Sequence, residues 1–157
     1  MKIIKLLSLA ILFTGAIYGQ VATKHAITLE LAKKIAVAAE NKAKQMNIDV
    51  VIAIVDDGGN LVYFERMNGA QLGSIKVARK KAVSAIFFKR PTKAYQERVA
   101  EGNNALLSVD EILPFEGGAP LVYENNYIGA IGVSGGTPEQ DGIIAEAGAK
   151  ILEEVAK

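Results

Sequence analysis

The segment Tyr127–Gly148, YIGAIGVSGGTPEQDGIIAEAG, reads as a strand, a glycine turn and a capped helix in direct succession. Ile128, Ala130, Ile131 and Val133 put apolar side chains on both pleat faces, with Gly129 and Gly132 between them, the pattern of a strand covered on both sides. Helices are therefore expected on both faces of the sheet that holds it. Ser134, Gly135 and Gly136 end the strand. Thr137, Pro138 and Gln140 then supply an N-cap, a proline at the first helical position and a capping-box partner. The glycine turn has two readings. Its N–H groups, opening onto a helix, suit an anion. Equally, its glycines serve only to make a tight turn, because their spacing matches neither the Walker nor the dinucleotide-binding fingerprint.

Working outward, the helix after this turn is expected to run to about Val155 with Ile143, Ile144, Ala147, Ile151, Leu152 and Val155 inward. Upstream, Leu121–Tyr123 and a turn at Glu124-Asn125-Asn126 make the strand one arm of a hairpin, preceded by a loop at Glu116–Pro120. A second hairpin is legible in Val50–Val55, an unbroken apolar run, the turn Asp56–Asn60 and a return strand Leu61–Arg66. Asp56 and Asp57 read as turn formers, since no EF-hand pattern surrounds them.

Helices are expected where apolar residues recur every three to four positions. Thr28 caps one over Leu29–Met46, and Leu72–Phe88 carries Ile75, Ala78, Ala82, Ala85 and Ile86 on one side. Pro91 stops the latter, and Thr92–Glu101 makes a shorter helix ended by Gly102. Leu106–Phe115 carries no clear periodicity. The order of helix, hairpin, two helices, hairpin, helix predicts an α+β fold, an antiparallel sheet between helical layers.

The N-terminus has the form of an export signal over residues 1–19. Lys2 and Lys5 form a basic start, Leu6–Tyr18 is uncharged, and Gly19 is a small residue at the expected cut. The uncharged run is shorter than the roughly 20 residues a membrane-spanning helix needs, so no stable membrane anchor is expected after cleavage. Residues 20–157 are left as one domain. Its formal charge falls from +1 to −1 because both lysines leave with the signal, which argues against a nucleic-acid partner. The basic run Arg79-Lys80-Lys81 reads as a solvated helix face. The chain has no cysteine, which excludes disulfides, thiolate metal sites and a cysteine nucleophile.

Four blocks, VVIAIVDDGGNLVYFERMNGA, KVARKKAVSA, EGGAPLVY and IGAIGVSGGTPEQD, occur in an order that resembles the GlcG/HbpS haem-binding family, which includes the C-terminal domain of PduO proteins. The resemblance runs from about Thr28 to the C-terminus. It implies a profilin-like α/β/α sandwich, homo-oligomers and, in some members, haem as a bound cofactor. Two positions depart from the family pattern: Asn68 stands where an Asp is usual, and Gly142 where a Glu often follows Gln140 and Asp141. Chemistry that needs paired carboxylates there is weakened.

Candidate ligand residues follow from motif position and chemistry. Arg66, Lys81 and Thr92 are suited to a carboxylate or a haem propionate, with surface ion pairing and an N-cap as the plainer roles. Met67 and Asn68 follow Arg66 directly. Gly117, Gly118 and Pro120 shape a loop that lets a ligand approach the backbone, and Gln140 and Asp141 open the last helix, where Asp141 also complements the dipole. His25 is the single histidine and the obvious axial donor to haem, although its place in the extended lead before the first helix equally suits a solvent-exposed residue with no ligand role; Met67 or a tyrosine are the other donors. Serine-protease-like and zinc templates fail for want of histidines and cysteines.

Three functions remain open: an exported haem-binding or haem-sensing oligomer without catalysis of its own, a binding module or enzyme for a short carboxylic acid held by Arg66 and the turn at Gly135 and Gly136, and a structural accessory subunit. They differ in what they require. Haem needs an apolar slot beside Arg66 or His25, a short acid needs a small polar pocket, and an accessory subunit needs neither.

Overall fold

The computed structural model describes residues 21–155, so the expected export signal lies outside them. The elements are α1 (Leu29–Gln45), β1 (Val51–Asp56), β2 (Leu61–Arg66), α2 (Ser74–Phe87), α3 (Lys93–Ala100), a 3-10 turn (Asn104–Ser108), β3 (Gly118–Tyr123), β4 (Asn126–Ser134), α4 (Pro138–Ala149) and α5 (Ile151–Val155). The four strands form one antiparallel sheet in the order β2-β1-β4-β3. Among the described residues no helix is long and apolar enough to cross a membrane.

Strand alternation divides the core into two layers. Val50, Ile52, Ile54, Leu121, Ile131 and Val133 face α1 and α4, while Val51, Ala53, Val55 and Ala130 face α2. The result is the expected profilin-like α/β/α sandwich. Its two hairpins hold because their turns are local: Asp56 accepts N–H bonds from Gly58 (2.9 Å) and Asn60 (2.8 Å), so it is a turn former as read. At α4, Thr137 and Gln140 exchange both capping-box hydrogen bonds.

Some expectations are corrected. Ile75 and Ile143 point outward, 36% and 40% exposed, because the inward stripe of α2 passes through Ala78, Lys81, Ala82 and Ala85 and that of α4 through Ile144, Ala145 and Gly148. Lys81 is accordingly buried rather than solvated. β3 begins at Gly118, so Gly118, Ala119 and Pro120 belong to the strand and not to the preceding loop. The last helix is broken at Lys150 into α4 and α5. Gly132 explains how α2 packs so closely: a Cβ there would run into the Ala78 carbonyl and the Ala82 amide of α2.

Candidate functional site

Six of the ten expected ligand residues converge where the β3–β4 pair meets α2 and the start of α4. Lys81 extends from the inner face of α2 and its Nζ donates to Asp141 Oδ2 at 2.6 Å and to the Val133 carbonyl at 2.9 Å. Both side chains are almost fully enclosed, at 2% and 3% exposure. Asp141 Oδ1 accepts the Gly136 N–H at 2.9 Å. Gly117 lies over this pair at φ 125°, and any Cβ there would meet Lys81 Nζ, Asp141 Cβ and the Val133 carbonyl, each at 2.7 Å. Thr92 and Gly118 are joined by two hydrogen bonds, Gly118 N–H to Thr92 Oγ1 (2.9 Å) and Thr92 N–H to the Gly118 carbonyl (3.0 Å). Thr92 therefore clips β3 to the entry of α3 and makes no side-chain N-cap.

Burial pushes the Lys81 ammonium below its usual range, opposed by the charge and hydrogen bond of Asp141. Burial likewise pushes the Asp141 carboxyl up, opposed by Lys81 and by the Gly135 and Gly136 amides. Glu116, which sequence reasoning left out, lies beside this centre with 8% of its surface exposed. Its Oε1 is 3.3 Å from Lys93 Nζ, and its backbone N–H donates to Gln96 at 2.8 Å. Gly142 is what admits it, since a Cβ at that position would overlap the Glu116 carboxylate. Gly142 thus leaves room for the Glu116 carboxylate.

This centre is a closed electrostatic clip rather than an open pocket. The amide of Gly136 is taken by Asp141 and that of Thr137 by Gln140 Oε1, so the anion cradle read from the glycine turn is filled by the chain's own side chains. Gln140 is committed to the capping box. The clip ties α2 on one face of the sheet to α4 on the other.

The remaining candidates lie apart. Arg66 is exposed at the end of edge strand β2, and its Nη1 reaches the Ala70 carbonyl at 3.4 Å. Met67 exchanges bonds with Val50, its Sδ accepting the Val50 N–H at 3.4 Å, and packs on the core. Asn68 sits exposed in the following turn. Pro120 faces a groove of about 290 Å³ along the β3 edge, shared with Ala119, Val122, Lys150 and Leu152. His25 is at the opposite end of the sheet, against the β3–β4 turn. Its ring meets Tyr123 edge-on at 5.3 Å, and its Nε2 is 3.4 Å from Glu124 Oε2. Further concavities include one of about 210 Å³ lined by Met67 with Asn47, Ile48 and Asp49, and two others. One of about 630 Å³ lies on the outer side of α1 between Lys34, Val37, Ala38 and Ile151, and one of about 280 Å³ lies between the start of α2 and the turn after β4.

The topology, the paired hairpins and the glycine-opened junction of α2 with β4 coincide with one family. Residues 27–150 match the haem-degrading-protein HbpS-like family. The chain belongs to the HbpS-like family. GlcG of Escherichia coli K12 is 36% identical over 112 residues, covering 71% of this chain and 84% of GlcG. A double mutant of Streptomyces reticuli HbpS superposes with a TM-score of 0.78 at 32% identity, covering 86% of this chain and 92% of that one. A PduOC:heme complex gives a TM-score of 0.72 at 32% identity, covering 80% of this chain and 94% of that one.

Proposed function

We propose that this protein is an exported haem-binding or haem-sensing module that assembles as a homo-oligomer and performs no catalysis of its own. The observation that carries the reading is membership of the HbpS-like family together with 32% identity to a relative solved with heme. Haem would supply a redox-active iron and two propionates, and the chain must supply an axial donor, an apolar surface and cations.

We take His25 as the axial donor, ahead of Met67, Tyr63 and Tyr95. The Met67 sulfur is engaged by the Val50 amide, the Tyr63 hydroxyl donates to Glu65 at 2.9 Å, and the Tyr95 hydroxyl is sealed in the interior. His25 keeps an imidazole with a half-exposed side chain, fixed on Tyr123 and free of the core. The β3-edge groove includes Val122, next in sequence to the tyrosine that carries His25, and is lined by Lys150, which would face a propionate, and by Glu146 and Glu153, which would repel one. Its volume of about 290 Å³ is at the small end of ligand pockets, which run to roughly 1,000 Å³. One protomer covers only part of a porphyrin, and a second copy completes the enclosure.

The test is a haemin titration of Gln20–Lys157 followed at the Soret band, in parallel with His25→Ala and Met67→Leu. The reading expects a saturable shifted band, lost in His25→Ala and kept in Met67→Leu. No saturable band in the parent protein defeats the haem assignment, and a band that survives His25→Ala moves the axial donor elsewhere. A band that forms and then bleaches on adding a reductant replaces binding with haem degradation. Export is checked by the mass of the protein recovered outside the cytoplasm, which should lack the first 19 residues or a number close to it.

A further inference from the structure

The cleft at the start of α2 belongs neither to the buried clip nor to the β3 edge. It is bounded by Gly73, Ser74 and Val77 of the first turns of α2, by Ser134–Gly136 after β4, and by Gln71 at its side. Ser74 and Ser134 are 7% and 6% exposed, both hydroxyls line the cleft, and neither is paired with another group of the chain among the described residues. Ser134 faces this way because β4 alternates: Ile131 and Val133 point to α4, so Gly132 and Ser134 point to α2. Buried hydroxyls ordinarily have a partner, and two left open into one concavity mark a place where something else is bound.

Electrostatics select the charge of that partner. α2 starts without a side-chain cap and with no acidic residue in its first turn; its Ser74 and Ile75 N–H groups bond back to the Gln71 and Leu72 carbonyls, so what it offers the cleft is the positive end of its dipole rather than free amides. No Asp or Glu lines the cleft. Asp141 lies behind the turn with its oxygens committed to Lys81 and Gly136. The volume, about 280 Å³, admits a molecule of a few heavy atoms. Val77 gives the cleft one apolar wall, which suits a short alkyl group and is of no use to a bare phosphate.

We propose that the cleft between the first turn of α2 and the turn at Ser134–Gly136 binds a short aliphatic carboxylate, held by the Ser74 and Ser134 hydroxyls and the N-terminal end of α2. This site is separate from the haem surface and stands or falls independently of it, because its test contains no haem. Amide chemical shifts of the ¹⁵N-labelled protein are followed during titration with sodium acetate and with sodium butyrate, against sodium chloride at equal ionic strength and against inorganic phosphate. Saturable shifts are expected at the amides of residues 73–77 and 134–136, with the apparent Kd raised at least about tenfold in the Ser74→Ala, Ser134→Ala double variant. Ser74→Ala alone, a helix-compatible change at the cleft wall, is expected to give a smaller loss in the same direction and supplies the test if the double variant does not fold. Shifts no different from those with chloride, shifts unchanged in the variants, or phosphate binding more tightly than either carboxylate would each overturn the proposal.

Discussion

Replacing Lys81 by Met removes one member of an ion pair that the chain cannot hydrate. The Lys81 ammonium is 2.6 Å from Asp141 Oδ2, and neither side chain is more than 3% exposed. Deleting one partner leaves Asp141 as a buried carboxylate facing an apolar thioether, and leaves the Val133 carbonyl without the donor at 2.9 Å. Breaking a buried pair in this way costs about 3–5 kcal/mol. For a domain of this size each kcal/mol is worth roughly 3–5 °C, so melting should fall by about 10–20 °C. Asp141→Asn should cost a comparable amount, since its amide leaves the Lys81 charge unbalanced while keeping the contact with Gly136. The decisive variant is Lys81→Met with Asp141→Leu. Apolar replacement of a whole buried pair is often neutral. Here it still orphans the Gly136 N–H and the Val133 carbonyl, at about 1–3 kcal/mol each. Urea unfolding should therefore show the double variant losing clearly less than the sum of the single losses, by about 2 kcal/mol or more. Additivity within about 0.5 kcal/mol, or a single-variant loss below about 1 kcal/mol, would refute the claim that this pair locks α2 to α4.

Gly117→Ala should destabilise the fold by at least about 2 kcal/mol in the same assay, because φ 125° disfavours any side chain and the new methyl would displace the Lys81–Asp141 contact. A control alanine at Gly73, where a Cβ meets nothing within 4 Å, should cost far less. At Asp56, burial acts against ionisation, but the side-chain and backbone hydrogen bonds from Asn60 and that from Gly58 outweigh it and hold the carboxyl below its ordinary 3.8. A depressed carboxyl stabilises above its unfolded value and loses that contribution as pH falls through the folded one. Asp56→Ala should therefore cost about 1 kcal/mol at pH 7, a figure reduced for solvent screening at the half-buried turn, and the difference from the parent should shrink as pH falls below the ordinary 3.8.

Local chemistry made much of the fold legible. The capping box at Thr137 and Gln140, the Asp56 turn and the apolar run Val50–Val55 each act within a few residues, so their geometry follows from neighbours in the chain. The inward faces were less secure where two apolar residues compete. Ile143 and Ile144 are adjacent, and only contact with the sheet decides that Ile144 is the buried one. Glycine also misled: Gly118, read as part of a loop, is in β3 because α2 and Thr92 come too close there for any side chain.

The candidate site divides along the same line. Arg79, Lys80 and Lys81 are equivalent as charges, but successive helical positions are about 100° apart, so one of the three must lie nearer the sheet than the others. The stripe Ala78, Lys81, Ala82, Ala85 was the available signal that it is Lys81. Its partner, 60 residues away, could not be identified from spacing, because only the meeting of α2 with the start of α4 brings Asp141 within 2.6 Å. The same meeting closes the glycine turn against an outside anion and leaves Ser74 and Ser134 open beside it. Sequence by itself determined the two hairpins, the main helices with the caps at Thr28 and Thr137, and the family resemblance, since these depend on local backbone preference and apolar period. Which charges are buried, which amides are spent and which hydroxyls remain free was decided by tertiary structure, because desolvation and pairing are properties of groups brought together across the fold.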